Sequence, residues 1–389
     1  METSLKKFNV TKSAIFTYLV FFVFTTSELM QMVPMLNNVV NIIRCIIFLI
    51  FIWNYIAGKK SAYVNLVVLW QLFYLISSVA NNNFSVSVIF YLINFITIAL
   101  FVKENIEQGS LRFLRIGRNW FLFLLIINLF QVLFLAPYKT ETGDVYVLGL
   151  RITFTLYCYV TIFFSIAYDY YKKENYRISG TTLFSIVLAV ITLLTQMVAT
   201  GLIGLLAIFI AYCILKKEKN YWLLILIAIL ATYGTVFQAD YIQAFGSFFK
   251  IFGKDLTFSS RTYIWKRALE LIPLKMFMGY GTTDFFIPAF GGVDHPAHNE
   301  VLNVLYRGGL CSFVFIFSAF ILIVKSSTGK TPWNRVCMAL LFGMVIVMIT
   351  EILSAQNSYH FILSLCYFIN TVWNDKKTYQ YSYVVKALS

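Results

Sequence analysis

Charged residues are scarce in this sequence: only 12% of its 389 residues are charged, whereas 60% are apolar and 18% aromatic. That shortage excludes an ordinary water-soluble domain, whose surface carries far more charge. Apolar runs of close to 20 residues recur along the whole chain, and this is the length that a helix needs to cross about 30 Å of hydrocarbon. The composition therefore predicts a polytopic, all-α membrane protein.

Cysteine and histidine are also rare, with six and three residues respectively. All six cysteines fall in predicted spans, so neither a disulfide nor a thiolate metal site is indicated. Phosphate-binding and dinucleotide-binding fingerprints are missing, which excludes ATP-driven transport by this chain alone. The net charge of +14 would favour nucleic acid in a soluble protein. In a membrane protein, basic residues are first of all topology signals, and we expect no nucleic-acid partner.

The lengths of the apolar runs and the polar residues between them predict about twelve spans. They lie near residues 14–33, 36–57, 62–80, 85–102, 119–137, 150–170, 180–197, 200–215, 220–239, 301–324, 333–351 and 355–373. An even number puts both termini on one side, and most of the 31 Lys and Arg residues lie on that side, so both termini are predicted to be cytoplasmic. The chain then divides into spans one to nine (1–239), one large outer loop (240–300), and spans ten to twelve with a cytoplasmic tail (301–389).

A few charged residues fall inside the predicted spans. Glu28 and Arg44 lie at similar depths in the first two spans, so we expect them to pair rather than to remain as isolated charges in hydrocarbon. The alternative is that they form a polar wall of a substrate cavity. Arg307, just inside the tenth span, is a further candidate for such a cavity. Glu351 and His360 are left without assigned roles.

The outer loop concentrates the polar chemistry of the chain. Its first part, 240–253, is rich in aromatic residues and is predicted to be an interfacial helix. Its second part predicts an amphipathic helix that Ser259 and Ser260 begin, that Pro273 ends, and that would rest on the membrane. Arg261 would lie in the first turn, where backbone N–H groups, the helix dipole and a guanidinium together favour phosphate. The alternative is a solvated arginine.

The end of the loop holds the second group of polar residues. Gly279-Tyr280-Gly281 permits a tight turn with close backbone approach. Two imidazoles and two carboxylates follow in 294–300, just outside the tenth span. An imidazole is the side chain best able to accept a proton near neutral pH, and Asn299 can orient a sugar hydroxyl or a neighbouring group. His298 is therefore a candidate general base, with a hydrogen-bonded, helix-capping histidine as the alternative.

Two other chemistries remain open for this segment. His295 and His298 could ligate a metal, although Pro296 between them argues against a regular helical arrangement and there is no third ligand cluster. A glycosidase-like pair of carboxylates is the other. Its members could come from Glu270, Asp284 and Glu300, but nothing in their spacing singles out a pair.

Taken in order, these motifs resemble the shared loop region of the O-antigen polymerase and O-antigen ligase superfamily. The matching elements are Ser260-Arg261-x-x-x-Trp265, Pro273, Gly279-Tyr280-Gly281, His298-Asn299-x-x-Leu302 and Gly308-Gly309. The resemblance implies a GT-C-like fold and a metal-independent glycosyltransferase that needs no cofactor. It also implies action on undecaprenyl-pyrophosphate-linked sugars at the outer face of a bacterial cytoplasmic membrane, with His298 as base and Arg261 as pyrophosphate binder.

The resemblance also implies an arginine near the start of a middle span, and Arg151 occupies a similar place. Many members carry a Ser-Arg pair before a later span, where this sequence has Ala199-Thr200-Gly201-Leu202. We take His298 and Arg261 as candidate catalytic residues. The candidate substrate-binding residues are Arg151, Asn299, Trp265, Tyr280 and Arg307.

The function predicted from these features is that of a polysaccharide polymerase of the O-antigen, capsule or exopolysaccharide type. It would move a growing glycan from undecaprenyl pyrophosphate to a lipid-linked repeat unit, with inversion at the anomeric carbon. Donor, acceptor and the lipid bilayer are the expected partners, and a chain-length regulator is left open. An O-antigen ligase-type transferase is the close alternative. A lipid-linked oligosaccharide flippase or transporter is the distant one, because a flippase has no need to gather Arg, His and Gly on one outer loop.

Overall fold

The computed structural model describes residues 13–26, 28–140, 143–172, 178–215, 223–227, 229–230, 233–234, 257–281, 286–288, 294–329 and 331–388. Within these ranges the named helices are α1 (Ala14–Phe24), α2 (Glu28–Gln31), α3 (Pro34–Ile56), α4 (Ala62–Ala80), α5 (Val86–Glu107), α6 (Leu111–Phe134), α7 (Phe154–Lys172), α8 (Gly180–Thr195), α9 (Ala199–Ile214), α10 (Thr257–Leu271), α11 (Glu300–Ser327), α12 (Pro332–Met348) and α13 (Asn357–Leu388). Short 3₁₀ helices, Arg151–Thr153 and Ile272–Lys275, lead into α7 and follow α10.

Two small antiparallel sheets accompany the helices. One has the order β1 (Tyr138–Thr140), β2 (Gly143–Tyr146), β3 (Gly149–Leu150), and the other pairs β4 (Phe286–Pro288) with β5 (Asp294–Pro296). In the second sheet Ile287 lies opposite His295. The apolar pattern did not predict these strands, because two to four residues are too few for a period-two signal.

Six of the described helical segments are long and apolar enough to cross a membrane: α3, α4, α5, α6, the segment 151–172 and α11. Helices α1, α8, α9 and α12 are apolar but shorter. The described helices thus indicate an all-α, multi-pass membrane protein. The count of twelve spans and the GT-C-like arrangement stay predictions. Most of the ninth predicted span, 220–239, and the interfacial helix predicted at 240–253 lie outside the described residues.

An aromatic cluster joins the N-terminal helices to α13. The ring of Phe21 lies 5.3–5.8 Å, centroid to centroid, from five other phenylalanine rings. These belong to α5, α6, α7 and α13, and they are Phe101, Phe113, Phe121, Phe164 and Phe361. Stacked and edge-to-face contacts of this kind add to the burial of the rings themselves. The cluster therefore fixes α13 against helices that are distant in sequence.

The first predicted span, 14–33, is not one continuous helix. It divides into α1 and the short α2, because side chains of other helices take the carbonyls at the end of α1. Arg44 Nε on α3 donates to Val23 O (3.0 Å), and Asn357 Nδ2 on α13 donates to Phe24 O (2.6 Å). The prediction of an unbroken span was wrong, since hydropathy does not register such tertiary hydrogen bonds.

The predicted pairing of Glu28 with Arg44 was also wrong. The ion pairs among the described residues are Lys103–Glu107, Arg261–Glu351 and Arg267–Glu270. Arg44 instead donates to Thr26 Oγ1 (2.7 Å) and Asn41 Oδ1 (3.0 Å). The Glu28 carboxylate accepts from the backbone N–H of Leu150. Neutral oxygens thus accept the hydrogen bonds of the guanidinium, and the carboxylate accepts from a backbone N–H of β3, in the sheet that the sequence did not predict.

A break in α11 lets two glycine motifs that are distant in sequence contact each other, Gly279-Tyr280-Gly281 and Gly308-Gly309. Gly309 has φ 64° and ψ −166°, outside the helical region. The break leaves carbonyls without their helical donors, and the N–H of Gly281 donates to Arg307 O (2.9 Å). A Cβ at Gly309 would lie 2.3 Å from Phe277 O, so this approach requires glycine. The turn after α10 therefore docks directly onto the outer part of α11.

Candidate functional site

Helix α10 carries Arg261 and packs against the protein. It begins at Thr257, so Ser259 and Ser260 lie inside it and Arg261 lies beyond its first turn. The prediction of a serine N-cap with Arg261 beside free N–H groups was therefore wrong. The apolar face exists as expected, with Trp265 buried, but it packs on Ala297 and on residues of α11 and β4. Protein residues of β4 and α11 therefore cover the face that was predicted to rest on the membrane.

The segment that carries His298 is held on both sides. Trp265 Nε1 donates to Ala297 O (2.9 Å). Asn299 Oδ1 caps α11 by accepting from the N–H of Leu302 (3.0 Å), and its Nδ2 donates to Ile349 O (3.0 Å). His298 lies between these anchors with φ 46°, a left-handed conformation that a non-glycine residue rarely adopts. The N-cap is thus Asn299, and the alternative of a helix-capping histidine does not apply.

The connection between α12 and α13, residues 349–356, forms the third side of the site. Arg261 Nη1 donates to Thr350 O (2.7 Å), and Nη2 donates to Glu351 Oε1 (3.2 Å). Glu300 Oε2 accepts from the backbone N–H groups of Leu353 (2.7 Å) and Ser354 (2.9 Å). Side chains of α10 and α11 therefore determine where this connection lies.

The glycosidase alternative finds no support in these contacts. Glu300 is buried and bonded to backbone N–H groups. Glu270 lies at the surface in an ion pair with Arg267 (2.8 Å), and Asp284 lies outside the described residues. As for metal, no group of three or more His, Cys, Asp or Glu side chains within the described ranges is placed to hold an ion.

The electrostatics of the site keep His298 neutral. Burial, the positive charge of Arg261 and the neighbouring His295 together lower the pKa of His298 to about 4. The imidazole therefore has a lone pair available at neutral pH. The guanidinium of Arg261 is close enough for its charge to contribute to this shift, although 36 residues separate the two residues in sequence.

The other candidate residues differ in how they could reach a substrate. Trp265 and Asn299 are fully buried, and their polar atoms bond to the backbone, so they can act on a substrate through the position of His298. Tyr280 stacks on Tyr306 at 4.7 Å, and its hydroxyl donates to Leu271 O (3.0 Å). Direct substrate contacts of these three residues stay predictions.

The two other candidate arginines occupy different places in the fold. The buried guanidinium of Arg307 lies over the rings of Tyr74 (5.2 Å) and Tyr91 (5.9 Å), and it lines a small cavity that Ser354 also borders. Arg151 is exposed at the start of the 3₁₀ turn before α7. Among the described residues, no hydrogen bond or ion pair links Arg151 to Arg261 or His298.

Residues 184–317 match the family described as O-antigen ligase. This match confirms the resemblance to the O-antigen polymerase and ligase superfamily and supports glycan processing of that type. The O-antigen ligase region contains α10, His298 and the broken outer part of α11. No curated protein matches the chain.

Glu351 lies outside this O-antigen ligase region, and its contact with Arg261 was missed from the sequence. It is 3% exposed and follows α12. One signal was present: Glu351 is an acidic residue at the outer end of an apolar span, on the same predicted side as Arg261. Sequence alone does not show that α10 would lie against that end.

Proposed function

We propose that this protein is a polysaccharide polymerase of the bacterial cytoplasmic membrane. It would transfer a growing glycan from undecaprenyl pyrophosphate to a lipid-linked repeat unit on the outer face. The observation that carries the proposal is the left-handed conformation of His298, together with a pKa that burial and the charge of Arg261 lower to about 4. Unusual backbone conformations that the surrounding structure enforces are common at active sites. The O-antigen ligase match supports the same class of reaction.

In the proposed reaction, an acceptor hydroxyl oxygen attacks the anomeric carbon of the donor sugar. The bond from that carbon to the diphosphate oxygen breaks, and its electron pair leaves with the lipid diphosphate. His298 takes the hydroxyl proton as the new glycosidic bond forms. One displacement inverts the anomeric centre. Because the diphosphate is already a good leaving group, positioning and charge balance supply most of the catalysis.

Arg261 would bind the diphosphate. A guanidinium has five N–H donors, and the contacts with Thr350 and Glu351 use two of them, one on each terminal nitrogen. Glu351 therefore orients the guanidinium in the free enzyme and leaves it able to contact phosphate oxygens. A bound diphosphate would also add negative charge near His298 and raise its pKa. The imidazole would thus become a stronger proton acceptor when the donor is in place.

The decisive experiment uses purified protein and a synthetic lipid-linked repeat unit. A ladder of glycans with several repeats supports a polymerase, and NMR of the new linkage should show inversion. A single transfer to a different lipid acceptor without a ladder would identify the ligase-type alternative. Movement of the substrate across vesicles without any new glycosidic bond would contradict a transferase and favour a flippase.

A further inference from the structure

A groove lies between α1 and α6, near the N-terminal ends of both helices. Its volume is about 570 Å³, within the range of about 300–1,000 Å³ that small-molecule sites occupy. Its lining comes from both helices and consists of Ala14, Tyr18, Arg112, Arg115, Ile116 and Asn119. Helix α6 ends next to the β1–β3 hairpin, so the groove is at the opposite end of α6 from that hairpin. Nothing in the proposed reaction uses it.

The groove is basic. Arg112 and Arg115 are exposed on successive turns of α6, and the first turn of this helix contains no acidic residue. The positive end of the helix dipole adds to the two guanidinium charges. The groove therefore favours an anion.

The surroundings of the groove are those of a membrane surface. On α1 next to it, Ile15 is 83% exposed, and Leu19 is also exposed. Leu111 is exposed at the start of α6. Tyr18 lines the groove, and tyrosine is typical of the headgroup level of a bilayer. An anion with attached apolar chains would therefore fit this place, because the chains could lie along the exposed apolar side chains next to the groove.

We infer that the α1–α6 groove binds the headgroup phosphate of an anionic phospholipid. The guanidinium groups of Arg112 and Arg115 contact the phosphate oxygens, and the acyl chains lie along the exposed apolar side chains of α1 and α6. By the positive-inside rule this lipid comes from the cytoplasmic leaflet. The inference does not depend on the glycosyltransferase activity.

Native mass spectrometry of the full chain in detergent tests this site. The probes are phosphatidylglycerol and phosphatidylcholine with identical acyl chains. We expect the wild type to bind phosphatidylglycerol about tenfold more tightly, since each basic residue near a lipid surface contributes about 1 kcal/mol. The double variant Arg112→Gln/Arg115→Gln should lose this preference. Arg112→Lys/Arg115→Lys should keep part of it, because the charge remains while the bidentate geometry is lost.

The matched control removes two positive charges elsewhere on the same predicted face. Lys59→Gln/Lys60→Gln should change the preference by less than about threefold, since neither lysine lines the groove. An equal loss in this control would indicate diffuse charge and overturn the site. Equal binding of the two lipids by the wild type, or full displacement by inorganic phosphate, would also overturn it. Should the double glutamine variant fail to purify, the two single variants decide by the same criterion.

Discussion

Two regions of the protein each contain a candidate arginine near the predicted outer face of the membrane. One is the junction around His298, where α10, α11 and the connection 349–356 meet, and the other is the β1–β3 sheet with the 3₁₀ helix that begins at Arg151. At the junction, the guanidinium of Arg261 bonds to the connection between α12 and α13. Trp265 and Asn299 fix the backbone on either side of His298. The side chains of Arg261, Trp265 and Asn299 thus each join two parts of the fold.

The β1–β3 hairpin is held differently. Asn128 Oδ1 accepts from the N–H of Leu148 (3.0 Å), and Gln131 Oε1 accepts from the N–H of Val147 (2.6 Å). These bonds fix the backbone of the hairpin, whereas Arg151 itself is exposed. The guanidinium of Arg261 is thus preorganised and that of Arg151 is not, and because a fixed charge needs no reorganisation during a reaction, we expect Arg261 to contribute more.

The largest effect should come from His298→Ala. If His298 is the general base, activity should fall on the order of 10²- to 10⁴-fold. The assay is glycan laddering in a deletion strain complemented with the variant, at matched membrane levels. His295→Ala is the control, since its imidazole is a neighbour and is not the proposed proton acceptor. A near-normal ladder from well-expressed His298→Ala would exclude the assignment.

Replacement of Arg261 by lysine should be the next most damaging change. Lysine keeps the charge but not the planar fork, and the loss of one charge-assisted hydrogen bond costs about 1.5–3 kcal/mol, or roughly 10- to 100-fold in activity. Transfer rates with purified protein measure this. Arg267→Lys on the same helix, in an exposed pair with Glu270, should stay close to wild type. Full activity of Arg261→Lys would remove the proposed diphosphate contact.

The pH profile tests the electrostatic interaction between Arg261 and His298. The acid limb of kcat/KM reports the pKa of the base in the free enzyme. Because the pKa of His298 is lowered to about 4, the wild type should stay active well below pH 6.5 and lose activity only as His298 becomes protonated. Arg261→Gln removes a positive charge and should move this limb to higher pH. An unchanged limb would mean that the two groups do not interact.

Trp265→Phe tests the positioning of His298. Phenylalanine keeps an aromatic ring but leaves the carbonyl of Ala297 without the indole donor, at a cost of about 1–3 kcal/mol. Thermal unfolding in detergent should show lower stability. The rate should fall with KM nearly constant, and the acid limb should move to higher pH as His298 becomes more hydrated. Loss of stability with an unchanged acid limb would make Trp265 a packing residue only.

Arg151→Gln should have the smallest effect. An exposed charge contributes about 0.2–1 kcal/mol, so the loss should stay below about fivefold. The measurement is the transfer rate of the purified variant, beside Arg261→Gln, which removes the same charge at the junction. A loss as large as that of Arg261→Gln would place Arg151 in the diphosphate site and end the distinction between the two regions.

Several features could be predicted from the sequence because they depend on local chemistry. The apolar runs predicted most helices within a few residues, and α4 (62–80) agrees at both ends. The spacing of Ile264, Trp265 and Ala268 predicted the buried face of α10. The break after α1 could not be predicted, since the side chains that cause it come from α3 and α13. The same holds for the β1–β3 hairpin and its contact with Glu28.

By itself, the sequence determined that the chain is a helical membrane protein and that Arg261 and His298 are its candidate catalytic groups. Composition and the order of motifs can be read directly from the sequence, and their interpretation does not require knowledge of how the helices pack. The tertiary structure alone decided what surrounds these groups. Arg261 bonds to Glu351 and His298 is held between Trp265 and Asn299, because α10, α11 and α12 meet at one place. The pKa of His298 depends on burial and on a charge from another helix, and such effects exist only once the chain has folded.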